Sequence, residues 1–243
     1  MTIRLANLRF TVCILQFLLL STTPSVWARS VETAAAPVTA IDILLEPDTT
    51  MMNAAEAANA RLRKSYPEGF ALDATHVPHV TLLQRYVRTT DLDRVFEAVR
   101  KALAGEKPAA WKLRAVGYAF TPWGGPELAS ITVEPTEDLL RVQRKLIDAV
   151  VPFTEIEGTA AAFFTTGEEP GIEPAIIYYV GAFVPGRISG RFVPHVTVGL
   201  ASPDERKKMH DEKFEAFTFT AAGVAVYQIG HFGTARKKLQ GLE

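Results

Sequence analysis

The stretch Val77-Pro78-His79-Val80-Thr81 returns letter for letter as Val193-Pro194-His195-Val196-Thr197. The likeness extends beyond the pentapeptides. Each copy is followed by a helix signal and then by a strand with an aromatic start, residues 111–119 after the first and 217–225 after the second. In these strands Ala115, Gly117 and Ala119 coincide with Ala221, Gly223 and Ala225. A longer helix and loop absorb the greater distance from histidine to glycine in the first copy. Self-similarity at this spacing is too long for a solenoid and reads as a duplicated half-domain, two lobes about a pseudo-twofold axis.

Outward from the motifs, residues 41–46 read as a strand and 51–64 as an alanine-rich helix behind the capping candidates Asp48, Thr49 and Thr50. Thr90 is placed to cap a helix in which Leu92, Val95, Phe96, Val99 and Leu103 recur at helical spacing, with Gly105 as its stop. Leu139, Val142, Leu146, Ile147 and Val150 mark another. Residues 111–120 and 128–133 read as strands joined by the turn-rich segment 121–126. Past the loop at 167–174, residues 175–184 and 192–200 are expected as strands and 203–213 as a polar helix capped by Ser202. Strands at 214–220 and 223–229 then close the chain. The sum is an α+β fold: two mainly antiparallel sheets related by a pseudo-twofold axis, with helices outside and a central cleft.

Composition supports a real core, with 48% hydrophobic and 22% charged residues. Residues 1–28 have the layout of a signal peptide. Arg4 and Arg9 precede an apolar run at 10–20, and Val26-Trp27-Ala28 supplies an expected cut after Ala28. Residues 29–37 then read as a linker and 38–243 as the folded domain, in a periplasmic or secreted protein. The apolar run is short for a bilayer and no later segment is longer, so no membrane span is expected in the mature chain. Cys13 is the single cysteine, so after cleavage neither a disulfide, a cysteine nucleophile nor a thiolate metal site is available. Loss of Arg4 and Arg9 leaves 24 basic against 27 acidic residues, a net charge of −3. That balance excludes long nucleic acid as a partner held by charge alone. A monomer is expected.

Alternate side chains of a strand share a face, so His79 and Thr81 point one way while Pro78, Val80 and Leu82 point into the core. His195 and Thr197 stand in the same relation to Pro194, Val196 and Val198. If the lobes meet about a twofold axis, one cleft receives two imidazoles and two hydroxyls. One neutral histidine can take a proton from water or a ribose hydroxyl while the other, as imidazolium, protonates the leaving oxygen. The threonines can donate to the non-bridging oxygens where charge develops. Acid and base each supply about 10²- to 10⁴-fold, and such a donor about 10²- to 10³-fold. This chemistry requires no metal and no other cofactor.

The two sequences His79-Val80-Thr81-Leu82 and His195-Val196-Thr197-Val198 resemble the paired signature of the two-histidine phosphoesterases, His-x-Thr/Ser followed by a hydrophobic residue. That family includes 2′,5′ RNA ligases and 2′,3′-cyclic nucleotide phosphodiesterases. The resemblance runs from about residue 38 to the C-terminus. It implies the bilobal fold, metal-independent catalysis by His79, Thr81, His195 and Thr197, and a substrate with a cyclic or 2′,5′ phosphodiester. The expected activity is hydrolysis of a small nucleotide or an oligonucleotide end. RNA 2′,5′ ligation and nucleotide binding without turnover are the alternatives.

Further substrate contacts are sought among aromatic and basic residues. Trp123, in a Gly/Pro-rich loop, is the first choice to stack on a base, with Tyr86, Phe120, Tyr178 and Phe192 behind it. Arg85, Arg187 and Arg191 are candidates to hold a second phosphate, Arg191 lying four residues before His195. His231, between Gly230 and Phe232-Gly233, sits in a turn and is a candidate for the cleft wall. His76 falls on the opposite strand face from His79 and reads as a surface histidine rather than a metal partner. His210 reads as part of a solvated helix face.

Overall fold

The computed structural model describes residues 36–242. The expected signal peptide at 1–28 and all but the last two residues of the expected linker lie outside the described residues.

The first half of the fold runs β1 (Val38–Pro47), α1 (Thr49–Ser65), β2 (Val80–Arg88), α2 (Leu92–Leu103) and β3 (Leu113–Pro122). The second runs β4 (Glu127–Val133), α3 (Glu137–Val150), the two-residue β5 (Thr154–Glu155), α4 (Pro174–Gly186), β6 (His195–Ala201), α5 (Pro203–Asp211), β7 (Phe217–Phe219), β8 (Ala221–Ile229) and β9 (Ala235–Leu242). Two sheets result, one in the order β5-β2-β1-β8-β9 and the other in the order β6-β4-β3-β7. Every strand pair in both is antiparallel.

The duplication is visible in this order, with an exchange that sequence similarity does not reveal. β1 and β2 pair in one sheet and β4 and β6 in the other, but the third strand of each half crosses over. β3 pairs with β4, and β8 pairs with β1. Gly117 and Gly223, aligned by the repeat, thus lie on corresponding strands in opposite sheets. The segment at 217–225 is not one strand but two, because the chain passes from one sheet to the other at Thr220.

Helix ends follow local chemistry. Asp48 caps α1 by accepting from the amides of Thr50 and Met51, Thr136 caps α3 by accepting from Leu139, and Ser202 caps α5 by accepting from Glu205. The expected cap at Thr90 is displaced. Residues Thr89–Asp91 form a short 3-10 turn, and Asp91 uses its carboxylate on Arg88 and Arg94 instead. Beyond α2 the chain turns at Gly105 with φ +82°, a left-handed conformation that suits glycine.

Residues 175–184, expected as a strand, are helical. Pro174 is pre-organised for a first helical turn, and Ile176, Val180 and Phe183 bury one face at spacings of four and three. The run is apolar on all sides, so its period is hard to read and its Ile and Val content suggests a strand. Residues 192–194 precede β6 rather than belonging to it, since Pro194 has no amide to give a ladder. β9, rich in Arg and Lys, is an additional edge strand. One core spans both sheets and α1, α2 and α3. Among the described residues no helix is long and apolar enough to cross a membrane.

Candidate active site

Both motifs sit at the starts of strands, and both strands carry the same irregularity. Thr81 lies opposite Leu44 while Leu83 lies opposite Ile43, which leaves Leu82 as the extra residue of a β-bulge. Thr197 lies opposite Ser130 while Gly199 lies opposite Ala129, which leaves Val198 as the extra residue. A bulged residue loses its ladder partner, and a buried carbonyl without one is costly. Each finds a helix amide. Gln143 Nε2 on α3 donates to Leu82 O at 3.1 Å, and Asn59 Nδ2 on α1 donates to Val198 O at 2.9 Å.

The same two amides hold the loops that deliver the motifs. Asn59 Nδ2 also donates to Phe70 O at 3.0 Å and Asn59 Oδ1 accepts from Leu72 N at 3.1 Å, in the loop before His79. Gln143 Nε2 also donates to Arg187 O at 3.1 Å, at the end of α4 before His195. Each amide therefore ties the strand of one motif to the loop leading into the other. At Gly199, where φ is +140°, a Cβ would lie 2.9 Å from Asn59 Nδ2, so only glycine lets the amide reach its carbonyl.

The histidines are oriented alike. His79 Nδ1 donates to Val77 O at 2.7 Å and His195 Nδ1 donates to Val193 O at 2.8 Å. A carbonyl can only accept, so both Nδ1 atoms carry a proton and each Nε2 is left for chemistry. Val80, Leu82, Val196 and Val198 are fully buried on the core side, as strand alternation requires. β2 and β6 approach one another. The charge of His79 reaches His195.

Beyond these shared features the two halves differ. Asp42, on β1 and 0% exposed, lies opposite Gln84. Its Oδ2 accepts from Thr81 Oγ1 at 2.7 Å and Gln84 Nε2 at 2.8 Å, and lies 3.4 Å from His79 Nε2. The matching pair beside the second motif is Leu128 opposite Leu200, both buried and apolar. Among the described residues the hydrogen-bond partner of Thr197 Oγ1 is Ser130 Oγ, at 3.5 Å. Burial works against a charged His79, but the hydrogen bond and charge of Asp42, with the Val77 carbonyl, outweigh it and raise the pKa above its ordinary value. Burial holds His195 below its ordinary value. The Val193 carbonyl opposes this, while the positive charges of His79 and Arg187 add to it.

The other expected contacts divide. Phe192 is 5% exposed and packs in the main core, so it is a structural residue and not a stacking platform. Tyr86 is buried too, its hydroxyl donating to Ile177 O at 2.7 Å. Arg191 is exposed on the turn before the second motif. On α4 Tyr178 is 77% exposed, whereas its neighbour Tyr179 is half-buried, senses the charge of Asp42, and has the Arg187 guanidinium 5.6 Å from its ring centroid. Trp123 is half-buried against Phe232, which also packs on Phe70. His231 pairs with Glu173 at 2.8 Å. His76 is not on the surface. It is buried, stacked on Phe70, and its Nε2 accepts from Arg236 Nη1 at 2.6 Å while Arg236 pairs with Glu169. His210 is exposed on α5.

Asp42, Gln84, Asn59, Gln143, Ser130 and Tyr179 were not among the residues singled out from sequence. Asp42 did leave a signal, as the one carboxylate in the apolar run Ala40-Ile41-Asp42-Ile43-Leu44-Leu45.

A sequence profile of the 2'-5' RNA ligase superfamily matches residues 52–231. None of the curated proteins compared matches the sequence. Among solved structures, TT0787 of Thermus thermophilus is 16% identical with a TM-score of 0.49, over 84% of this chain and 97% of its own. LigT of E. coli, solved in complex with 3'-AMP, is 11% identical with a TM-score of 0.39, over 85% of this chain and 98% of its own. The profile spans both His-x-Thr motifs and well over half of the sequence, and the chain belongs to the 2'-5' RNA ligase superfamily, the two-histidine phosphoesterases.

Proposed function

We propose that this protein is a phosphodiesterase that hydrolyses a 2′,3′-cyclic or 2′,5′-linked phosphodiester on a small nucleotide or oligonucleotide end, by acid and base catalysis from His79 and His195. The observation that carries the reading is the unequal surroundings of two otherwise matched histidines. Among the described residues no carboxylate pairs with His195, and burial lowers its pKa, which suits a base. His79 has acceptors at both nitrogens, which suits an acid.

In the reaction His195 Nε2 takes a proton from water as the water oxygen bonds to phosphorus. The bond from phosphorus to the leaving ribose oxygen breaks, and His79 Nε2 gives its proton to that oxygen. A phosphomonoester and a ribose hydroxyl result. The histidines exchange protonation states and return by proton exchange with solvent. Thr81 has committed its proton to Asp42, so the hydroxyl free to meet a non-bridging oxygen is that of Thr197. Acid and base suffice for these steps, so neither a metal nor another cofactor is assigned.

The test is turnover of 2′,3′-cyclic nucleotides, 2′,5′-linked dinucleotides and ADP-ribose cyclic phosphate, with the protein lacking both histidines as control. Product from one class, abolished in the control, is expected. Calorimetric binding without product after long incubation would overturn the reading in favour of a nucleotide-binding module. We further infer export to the periplasm or medium, supported by the leader layout at residues 1–28. Sequencing the exported protein from its N-terminus should then begin at Arg29.

A further inference from the structure

We infer that Asp42 is the positioning residue that gives a duplicated, nearly symmetric site its direction, fixing His79 as the acid and leaving His195 as the base. The inference rests on the phosphodiesterase reading for its catalytic part. Asp42 itself precedes the residues matched by the superfamily profile, which begin at 52.

Symmetry makes the comparison internal to the molecule. Both motifs share the bulge, the helix amide on the bulged carbonyl, and the Nδ1 donation to the carbonyl two residues back. One step along the ladder the correspondence fails, where Asp42 and Gln84 in one half stand for Leu128 and Leu200 in the other. A duplication alone would leave either histidine able to take either role. The carboxylate removes that freedom.

Asp42 is poorly explained as a stabilising residue. It is wholly buried, its single ion-pair partner among the described residues is His79, and its Oδ1 has no donor. A carboxylate retained for stability would be expected to satisfy both oxygens. β2 contributes Thr81 and Gln84, and the residue before it is His79. β8 places Tyr227 opposite it, but that hydroxyl donates to Glu46 Oε1 at 2.8 Å. α4 contributes Tyr179, and the charge of Asp42 also reaches His195, near which Arg187 stands. Among the described residues His79 is the one cationic group at contact distance of Asp42. With acceptors at Nδ1 and Nε2, its ring is satisfied when both nitrogens carry protons, the state of an acid awaiting a leaving group. When the Nε2 proton moves to substrate, Asp42 remains a carboxylate that favours reprotonation.

The experiment compares the full-length wild type with Asp42→Asn by NMR titration of His79 and His195 without substrate, and by the pH dependence of kcat/KM on whichever phosphodiester is turned over. In wild type His79 should titrate above His195. Loss of an opposite charge at this range lowers a pKa by about 1–3 units. Asp42→Asn should therefore move the alkaline limb of the profile to lower pH, to a proton concentration about ten-fold or more higher, and move the acid limb less, since the charge of Asp42 is one of the smaller influences on His195. Asp42→Glu should recover part of the difference. An unmoved alkaline limb, or movement of the acid limb instead, would overturn the assignment. Wild-type titration with His79 below His195 would overturn it even if the variants failed to fold. Absence of turnover with the expected titrations would sink the phosphodiesterase reading alone and uphold the hold of Asp42 on His79.

Discussion

The side-chain amide of Gln143 donates to the carbonyl of Leu82, the residue that follows the threonine of the first motif. Asn59 does the same for Val198 after the second. Both bonds answer a backbone problem created by the bulge, and both amides are buried. Their second bonds, from Gln143 to Arg187 O and between Asn59 and residues 70 and 72, reach the loop that introduces the opposite motif. The spacing of the two histidines is thus braced from outside the site by two crossed links.

Replacing either amide with leucine should leave buried carbonyls without donors, at about 1–3 kcal/mol for each group stranded. Asn59→Leu strands Val198 O, Phe70 O and Leu72 N, and Gln143→Leu strands Leu82 O and Arg187 O, so the first should be the more destabilised in thermal unfolding. Both should lower kcat more than they raise KM, because they change the relation of acid to base rather than the contacts to substrate. Wild-type kcat in a folded Gln143→Leu protein would show that the brace does not set the catalytic spacing.

The pH profile of kcat/KM should be a bell whose acid limb reports His195 and whose alkaline limb reports His79. His195 must be neutral and its pKa is lowered by burial, so the acid limb should fall below the ordinary imidazole value of 6.5. His79 must be protonated and Asp42 raises its pKa, so the alkaline limb should fall above 6.5. A broad optimum spanning that value, unchanged by chelator, is the expected result. A chelator that stops turnover would require a metal in the mechanism.

What was legible in the sequence follows from what leaves a periodic trace. The motif strands, their alternation and the capped helices were readable because each depends on neighbours along the chain. Helix α4 was not, because an apolar run such as Ile176-Ile177-Tyr178-Tyr179-Val180 satisfies a buried strand or a buried helix equally. The helix leaves Tyr178 exposed and Tyr179 half-buried. Phe192 looks available in sequence because it neighbours a His-x-Thr motif, yet nearness in sequence says nothing about which side of the chain meets the core. Asp42 lies 39 residues from Thr81 in sequence, and the contact between them exists only through the β1–β2 register. Crossing of β3 and β8 between sheets is likewise a tertiary fact, since each half has the same order of elements with or without it.

The threonines should not be equivalent. Thr197→Val removes the hydroxyl whose proton is free for phosphate and should lower kcat by about 10²- to 10³-fold. Thr81→Val removes a donor to Asp42, so its smaller effect should come with a shift of the alkaline limb. Equal losses in kcat with no change in pH profile would place both hydroxyls on the phosphate.

The two histidines should also affect stability with opposite dependence on pH. Raised above its unfolded value, the pKa of His79 contributes stability that is complete below about 6.5 and is lost as pH rises through the folded value. The lowered pKa of His195 contributes stability that is present above about 6.5 and is lost as pH falls through the folded value. The deficit of His79→Gln relative to wild type should therefore shrink as pH rises above 6.5, because the charged pair with Asp42 is then lost from the wild type as well. His195→Gln should instead gain on the wild type as pH falls, since the wild type alone must then charge a half-buried ring. Chemical denaturation of both variants across this range separates the cases. Movement of the two differences in the same direction would mean that the histidines share one environment, contrary to the asymmetry that Asp42 imposes.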